Sequence, residues 1–295
     1  MIEGDIYINC SEISSFIGQN KWDYWTPFIR LWKRIDLKDY LKCEELSKNE
    51  TIDNKVVVID KMIELQKTLG ETFIEDTIKV TSNKQDMVKN INTSYKMIDK
   101  LDVSENKKTE LKTNVESLVN TSYGISNEYG ALELYEMKHK VILDKSQPFH
   151  KVKIGDLQNG NCIYICGKID GLLKNNKTDE NIKIIEVKTR TKCFFKDIRD
   201  YENTQFQIYM HMFNIDNLDL VEYMPKNKYN NAKIKITWIK KNVKCINNIL
   251  SNLEIFTNEL SQFVSKPLED KYKFYAMDID DKKTFLHNLY IDKMN

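Results

Sequence analysis

Apolar residues repeat at helical spacing through the first 122 positions, and from Ser122 onward a further helix gives way to the two-residue rhythm of strands. Near the start, Ser11 reads as an N-cap and Gly18 as the stop of a short helix. Thr26-Pro27 predicts a cap followed by proline at the first helical position, with Phe28, Leu31 and Trp32 on one face of the helix that follows. Residues 37–122 are rich in Lys, Glu, Asp, Asn and Thr, with Val57, Ile59, Met62, Ile63 and Leu65 at helical spacing, and predict a helical insertion outside the sheet. A helix is then predicted over 125–137, and strands over 140–143, 151–154, 162–170 and 182–188. A helix over 203–214, strands over 218–224 and 233–240, and helices over 246–264 and 280–292 complete the pattern. This order predicts an α/β fold with a mixed central sheet flanked by helices. The chain divides into an N-terminal helical segment (1–36), the insertion (37–122), a strand-rich core (123–245) and C-terminal helices (246–295).

Composition narrows the classes. The chain has 295 residues, 41% of them hydrophobic, enough for a sizeable core. No stretch approaches the roughly 18 consecutive apolar residues of a membrane span. The first residues, Met1 to Asp5, carry no basic and apolar leader, so an intracellular location and no membrane association are expected. The six cysteines form no CxxC pair and the four histidines do not cluster with them, which argues against a zinc or iron–sulfur site and for reduced thiols. The charges nearly cancel, 45 basic against 44 acidic, so net charge does not mark a nucleic-acid binder. Their distribution is less even: Lys226 to Lys244 holds seven lysines and no acid.

The candidate chemistry lies in two neighbouring strands. Gly167-Lys168-Ile169-Asp170-Gly171 is followed, after a polar turn over 174–181, by Ile184-Ile185-Glu186-Val187-Lys188. Residues two apart on a strand share a face, so Glu186 and Lys188 point the same way. Paired as a hairpin, the two segments place Asp170 opposite Glu186. Two carboxylates and an ammonium then converge. Carboxylate oxygens are natural ligands for Mg²⁺, which also takes phosphate oxygens. The Val187 carbonyl can supply a further oxygen, and Lys188 can orient a water or neutralise charge on a phosphate. The competing reading is a surface hairpin with incidental charges, since Glu-x-Lys alone is common.

The set resembles the PD-(D/E)xK nuclease superfamily, in particular the lambda-exonuclease and YqaJ-type viral recombination nucleases, with RecB-type nucleases as relatives. Gly124-Ile125-Ser126-Asn127-Glu128, followed by Ala131 and Tyr135, looks like the family's leading helix, and Thr204-Gln205-Phe206-Gln207-Ile208-Tyr209 like the helix after the catalytic strand. Ser11-Glu12-Ile13, Gly18-Gln19-Asn20 and Trp32 are similar to its N-terminal segment. The resemblance implies a restriction-endonuclease-like core. It assigns Asp170, Glu186, Lys188 and Glu128 to catalysis, and Asp170, Glu186, Val187 and Glu128 to the metal. It also implies DNA contacts from Ser11, Gln205 and Tyr209, while Thr189 and Arg190, directly after the catalytic strand, are expected at phosphates. The implied cofactor is Mg²⁺, with Mn²⁺ substituting, and the implied substrate is DNA, chiefly duplex ends. A homo-oligomer, a recombinase, single-strand-annealing or helicase partner, and a large DNA virus as source, with a viral replication site as the place of action, follow from the same resemblance.

Residues 1–10 contain no Lys or Arg to hold a 5′-phosphate, so only a weak preference for 5′-phosphorylated ends is expected. Two further readings stay open: a structure-selective or defence-type endonuclease on the same fold, and a catalytically silent DNA-binding scaffold. Among the remaining residues, Lys233, Lys235 and Thr237 share one strand face, either to track DNA or to protect an edge. Trp22, Tyr24 and Trp25 read as core or hinge aromatics, and His150 and His211 as ordinary.

Overall fold

In the computed structural model, Ile6 and Ile8 point inward from the first strand, and the chain meets its own middle there. The structure describes residues 5–49, 65, 83–158, 160–175, 178, 180–226 and 230–294. The helical pattern at Val57, Ile59, Met62 and Ile63 lies outside these, as does part of the 174–181 turn. Strand β1 (Ile6–Asn9) pairs in parallel with β3 (Cys162–Lys168), and β2 (Phe149–Asp156) pairs antiparallel on the other side of β3. A second sheet follows in the order β4 (Gly171–Lys174), β5 (Asn181–Thr189), β6 (Asn217–Met224), β7 (Lys233–Lys240). Its β5–β6 pair is parallel and the outer pairs are antiparallel. The parallel step needs a crossover, which helix α6 (Asp200–Met212) supplies. The architecture is therefore α/β, with mixed sheets flanked by helices.

The predicted strand 162–170 is interrupted. β3 ends at Lys168, Asp170 sits in a bend, and the chain passes to the second sheet as β4. The expected single sheet is thus two, joined at the residue of most chemical interest. The predicted strand 140–143 is absent. Lys140 turns left-handed, with φ of 54°, and ends the preceding helix, leaving only an isolated bridge between Asp144 and Leu172.

That preceding helix, α5 (Glu105–His139), starts twenty residues before the predicted 125 and runs straight through the expected 122/123 boundary. Ser104 caps it, accepting from the Lys107 N–H at 3.3 Å. Its first half packs on α4 (Lys84–Ile98) through Met87, Ile98, Leu111, Val115 and Val119. Its second half lies on the second sheet through Ala131, Leu132 and Tyr135. Every regular element among the described residues of 37–122 is a helix, beginning with α3 (Leu37–Asn49).

At the N-terminus, Ser11 lies inside a 3₁₀ turn (Cys10–Glu12) leading to α1 (Ile13–Phe16), and no side chain caps either element. Gly18, at φ of 72°, does end the segment. Helix α2 (Trp25–Ile35) begins one residue before Thr26; its N-cap Tyr24 makes no side-chain bond, and Asp23 Oδ1 accepts from the Thr26 N–H at 3.1 Å. Phe28 and Trp32 of α2 pack among Phe256 of α7 (Val243–Val264), Phe274 of α8 (Leu268–Ala276) and Tyr290 just past α9 (Ile279–Leu289). The first and last segments of the chain therefore share one aromatic core. Between α2 and α8, Lys271 is buried and bonded to Asp36 at 2.6 Å and Asp39 at 2.8 Å, the pairing a buried ammonium requires.

Candidate active site

Strand β5 is buried on both faces, so its run of Ile184, Ile185, Glu186 and Val187 reads as continuous rather than alternating. Parity still sorts it. Ile184 joins the core beneath α6 with Phe206 and Leu218, while Ile185 and Val187 join the cluster beneath α5. Glu186 and Lys188 share the parity of Ile184 and meet α6. The Lys188 Nζ lies 3.0 Å from Glu186 Oε1 and 3.1 Å from Gln205 Oε1. The Gln205 amide donates back to Glu186 Oε1 at 3.3 Å and to Tyr209 Oη at 3.0 Å. Gln205 and Tyr209 are one helical turn apart, which puts both on the α6 face that covers the strand.

Asp170 enters from the neighbouring strand. Gly171 pairs with Ile185, so one step further along the hairpin sets Asp170 opposite Glu186. Its Oδ2 accepts from the Val187 N–H at 2.7 Å, which fixes the carboxylate at the bend between the sheets. The register also explains Gly167. A Cβ there would fall 2.6 Å from Tyr209 Cε1 and 3.1 Å from Cys10 Sγ, so only glycine lets the Tyr209 ring lie against β3.

The electrostatics are unbalanced. Glu186 is only 3% exposed, and its Oε2 has no hydrogen-bond partner among the described residues. Burial, then the charge of Asp170, pushes the Glu186 carboxyl up to about 8. Burial, again followed by Asp170, raises Glu128 to about 7, and Gln147 donates to its Oε2 at 3.4 Å. Asp170 is also raised, chiefly by burial, against the pull of the Val187 N–H and Lys188. Burial opposes the charge of Lys188, but Glu186, Asp170 and Glu202 together outweigh it and favour the ammonium.

Three carboxylates therefore surround one ammonium, with one buried oxygen unpartnered. A cation suits that donor set. Among the described residues no three His, Cys, Asp or Glu side chains close on one point as a protein cage. Asp170 and Glu186, with carbonyl and solvent oxygens, instead match the way Mg²⁺ is held, by one or two carboxylates.

The other expected residues are placed as follows. Thr189 is oriented toward α5, with Oγ1 3.4 Å from the Gly124 carbonyl. Arg190 turns inward and is 9% exposed; its guanidinium donates to both oxygens of Glu202, at 2.8 and 3.1 Å, and to Glu222 at 2.9 Å. Its donors are thus taken by protein carboxylates. Ser11 is exposed in its turn, beside Cys10. Tyr24 is buried, Trp25 packs against the core and Trp22 is 86% exposed. His150 stacks on Phe213 with ring centres 4.6 Å apart.

The sequence reading did not single out Glu202, Gln147 or the role of Glu222. Glu222 had a signal: with Asp219 it is one of two carboxylates among the apolar residues of Leu218 to Tyr223, and a carboxylate buried there must find a partner. Lys235 is the second such partner, 3.2 Å from Glu222 Oε2, so it is tied to β6.

No family model and no curated protein matches the chain. Among solved structures, the alkaline exonuclease LHK-Exo from Laribacter hongkongensis is 15% identical, with TM-score 0.34 over 72% of this chain and 92% of that one. The structure of LHK-Exo in complex with dAMP is 15% identical, with TM-score 0.32 over 72% and 91%. A phage-related exonuclease from Haemophilus somnus 129PT is 16% identical, with TM-score 0.36 over 68% and 93%. None of these likenesses reaches the level at which a shared fold or activity follows.

Proposed function

We propose that this chain is a Mg²⁺-dependent deoxyribonuclease of the PD-(D/E)xK type that hydrolyses phosphodiester bonds from duplex ends. The observation that carries the reading is the buried, unpartnered oxygen of Glu186, set beside Asp170 and held from the other side by Lys188 and Gln205. Asp170 and Glu186 would hold the metal, and the Val187 carbonyl and Glu128 would complete the set, Glu128 standing back from the point the other two share. When bound, Mg²⁺ supplies Lewis-acid activation of water and neutralises charge at the scissile phosphate; Mn²⁺ can substitute. Lys188 presents its ammonium to the charge that builds on phosphate, and its bonds to Glu186 and Gln205 fix where that charge is met. Gln205 in turn is held by Tyr209.

Digestion of an end-labelled linear duplex and a covalently closed circle tests the proposal. Degradation of the linear form is expected with Mg²⁺ or Mn²⁺ and none in EDTA, with the circle cut far more slowly. Preference for a 5′-phosphate over a 5′-hydroxyl should stay within about one to two powers of ten, the worth of one charge-assisted hydrogen bond. Full activity in EDTA overturns the metal assignment. Equal rates on circle and linear DNA favour an endonuclease, and no cleavage of any DNA favours a silent scaffold.

A further inference from the structure

The first sheet has one face turned to the core and one turned away from it. Ile6, Ile8, Ile163 and Ile165 fill the inner face. By parity and register, the outer face carries Tyr7 of β1, Tyr164 and Lys168 of β3, and Phe149, Lys151 and Lys153 of β2. The pairing sets Tyr7 beside Tyr164, Tyr164 beside Lys153, and Lys168 beside Phe149. The two tyrosine rings stack, centres 5.7 Å apart at 23°. Lys151 Nζ sits over both rings, 4.6 Å from Tyr164 and 5.1 Å from Tyr7, and donates to Tyr7 Oη at 3.1 Å. Phe149 is 53% exposed, and Lys151, Lys153 and Lys168 are exposed with it.

We propose that this face binds single-stranded DNA and leads that strand to or from the catalytic pair, an inference that rests on the nuclease reading above. The occupant follows from the chemistry of the face. The exposed Phe149 ring offers a stacking surface that accepts any base, the Tyr7 and Tyr164 rings offer theirs when Lys151 moves from over them to a phosphate, and the neighbouring lysines meet the phosphates between. Duplex DNA keeps its bases stacked inward and has no use for such rings. Three acids border the face: Asp156 is paired with Lys153 at 2.7 Å, Asp5 lies near Lys151 and Tyr164, and Glu12 accepts from Asn9 and pairs with Arg30 at 3.4 Å. Lys151 and Lys168 form no ion pair among the described residues. The face also ends near the site, because β3 stops at Lys168, two residues before Asp170 in the bend between the sheets. The four steps of strand from Tyr164 to Lys168 span about 13 Å, the length of about four stacked nucleotides.

The test uses the full chain and a 5′-fluorescein oligothymidylate of about 20 nucleotides, with anisotropy read in EDTA. The wild type should bind. The variant Phe149→Ala/Lys151→Ala/Lys168→Ala should bind about tenfold or more weakly, with a shallower dependence on salt. A thermal melt of the variant establishes folding, and a second arm needs no variant: an oligonucleotide carrying iododeoxyuridine should photocrosslink to peptides containing Tyr7, Phe149 or Tyr164. Wild-type affinity in a folded triple variant, or crosslinks confined to other surfaces, overturns the inference. A wild type that digests duplex ends in Mg²⁺ yet does not bind the oligothymidylate overturns the inference and leaves the nuclease reading intact. Face-dependent binding without cleavage of any DNA keeps the binding face but overturns the nuclease reading, and with it the path to a catalytic pair.

Discussion

Two clusters of buried charge stand two residues apart, one at the end of β5 and one just past it, and are built on opposite terms. Around Arg190, two cations meet two carboxylates: Arg190 and Lys235 against Glu202 and Glu222, with bonds of 2.8 to 3.2 Å. The loop is drawn in as well, since Phe195 N–H donates to Glu222 at 3.0 Å and the Phe195 ring lies 4.0 Å from the Arg190 guanidinium. Around Lys188, one cation meets Glu186, Asp170 and Glu128, and an oxygen of Glu186 is left without a partner. The first cluster is balanced and ties the segment after β5 to β6. The second is short of positive charge in a place where charge is expensive to bury, which sets the proposed site apart from a structural ion pair.

Substitutions on the two sides should therefore differ in kind. Lys188→Ala should leave the protein folded and lower kcat on linear duplex by about 10²–10⁴, the scale of a positioned proton-transfer group or electrostatic stabiliser. Wild-type turnover in the folded variant would reduce Lys188 to a neutralising partner of Glu186. Arg190→Ala should act on stability instead, because it strands the buried carboxylate of Glu202 and leaves Glu222 only Lys235 and the Phe195 N–H; a loss of about 3–5 kcal/mol is expected in denaturant unfolding. An unchanged midpoint would mean that Arg190 is free to meet substrate.

A smaller effect separates holding from chemistry. Tyr209→Phe removes the hydroxyl that accepts from Gln205, worth about 0.5–1.5 kcal/mol, so activity should fall by about two- to tenfold with the fold intact. A loss as large as that of Lys188→Ala would place Tyr209 in the reaction itself. The smallest effect is one of pH. Burial alone would raise the Glu222 carboxyl, but the Phe195 N–H, Arg190 and Lys235 outweigh it and hold it below the ordinary range. A depressed folded value contributes stability above the unfolded pKa of about 4.3, and that stability is lost as pH falls through the lower folded value. Urea midpoints of the wild type should thus decline more steeply below about pH 4.3 than those of Glu222→Gln; parallel curves would remove Glu222 from the acid response.

Much of the site was readable because it depends on local geometry. Parity along β5 placed Glu186 and Lys188 on one face, the hairpin brought Asp170 opposite, and the turn between Gln205 and Tyr209 aligned them. Element positions from β5 through β7 followed from the same periodicities. Three errors share a different cause. The left-handed Lys140, the break at Asp170 and the early start of α5 each concern where an element stops, and that is set by what packs against it.

By itself, then, the sequence determined the parity of the strands and the set of side chains that one strand, one hairpin and one helix turn can present together. The tertiary structure alone decided which way Arg190 turns, since Glu202 and Glu222 lie 12 and 32 residues further along and reach it only through the α6 crossover. It also decided that the sheet divides at Asp170, and that Tyr7 of the first strand comes to stack on Tyr164. Side-chain direction within an element follows from backbone geometry a few residues long. The partner a buried charge finds, and the face a sheet leaves open, depend on elements brought together across the whole chain.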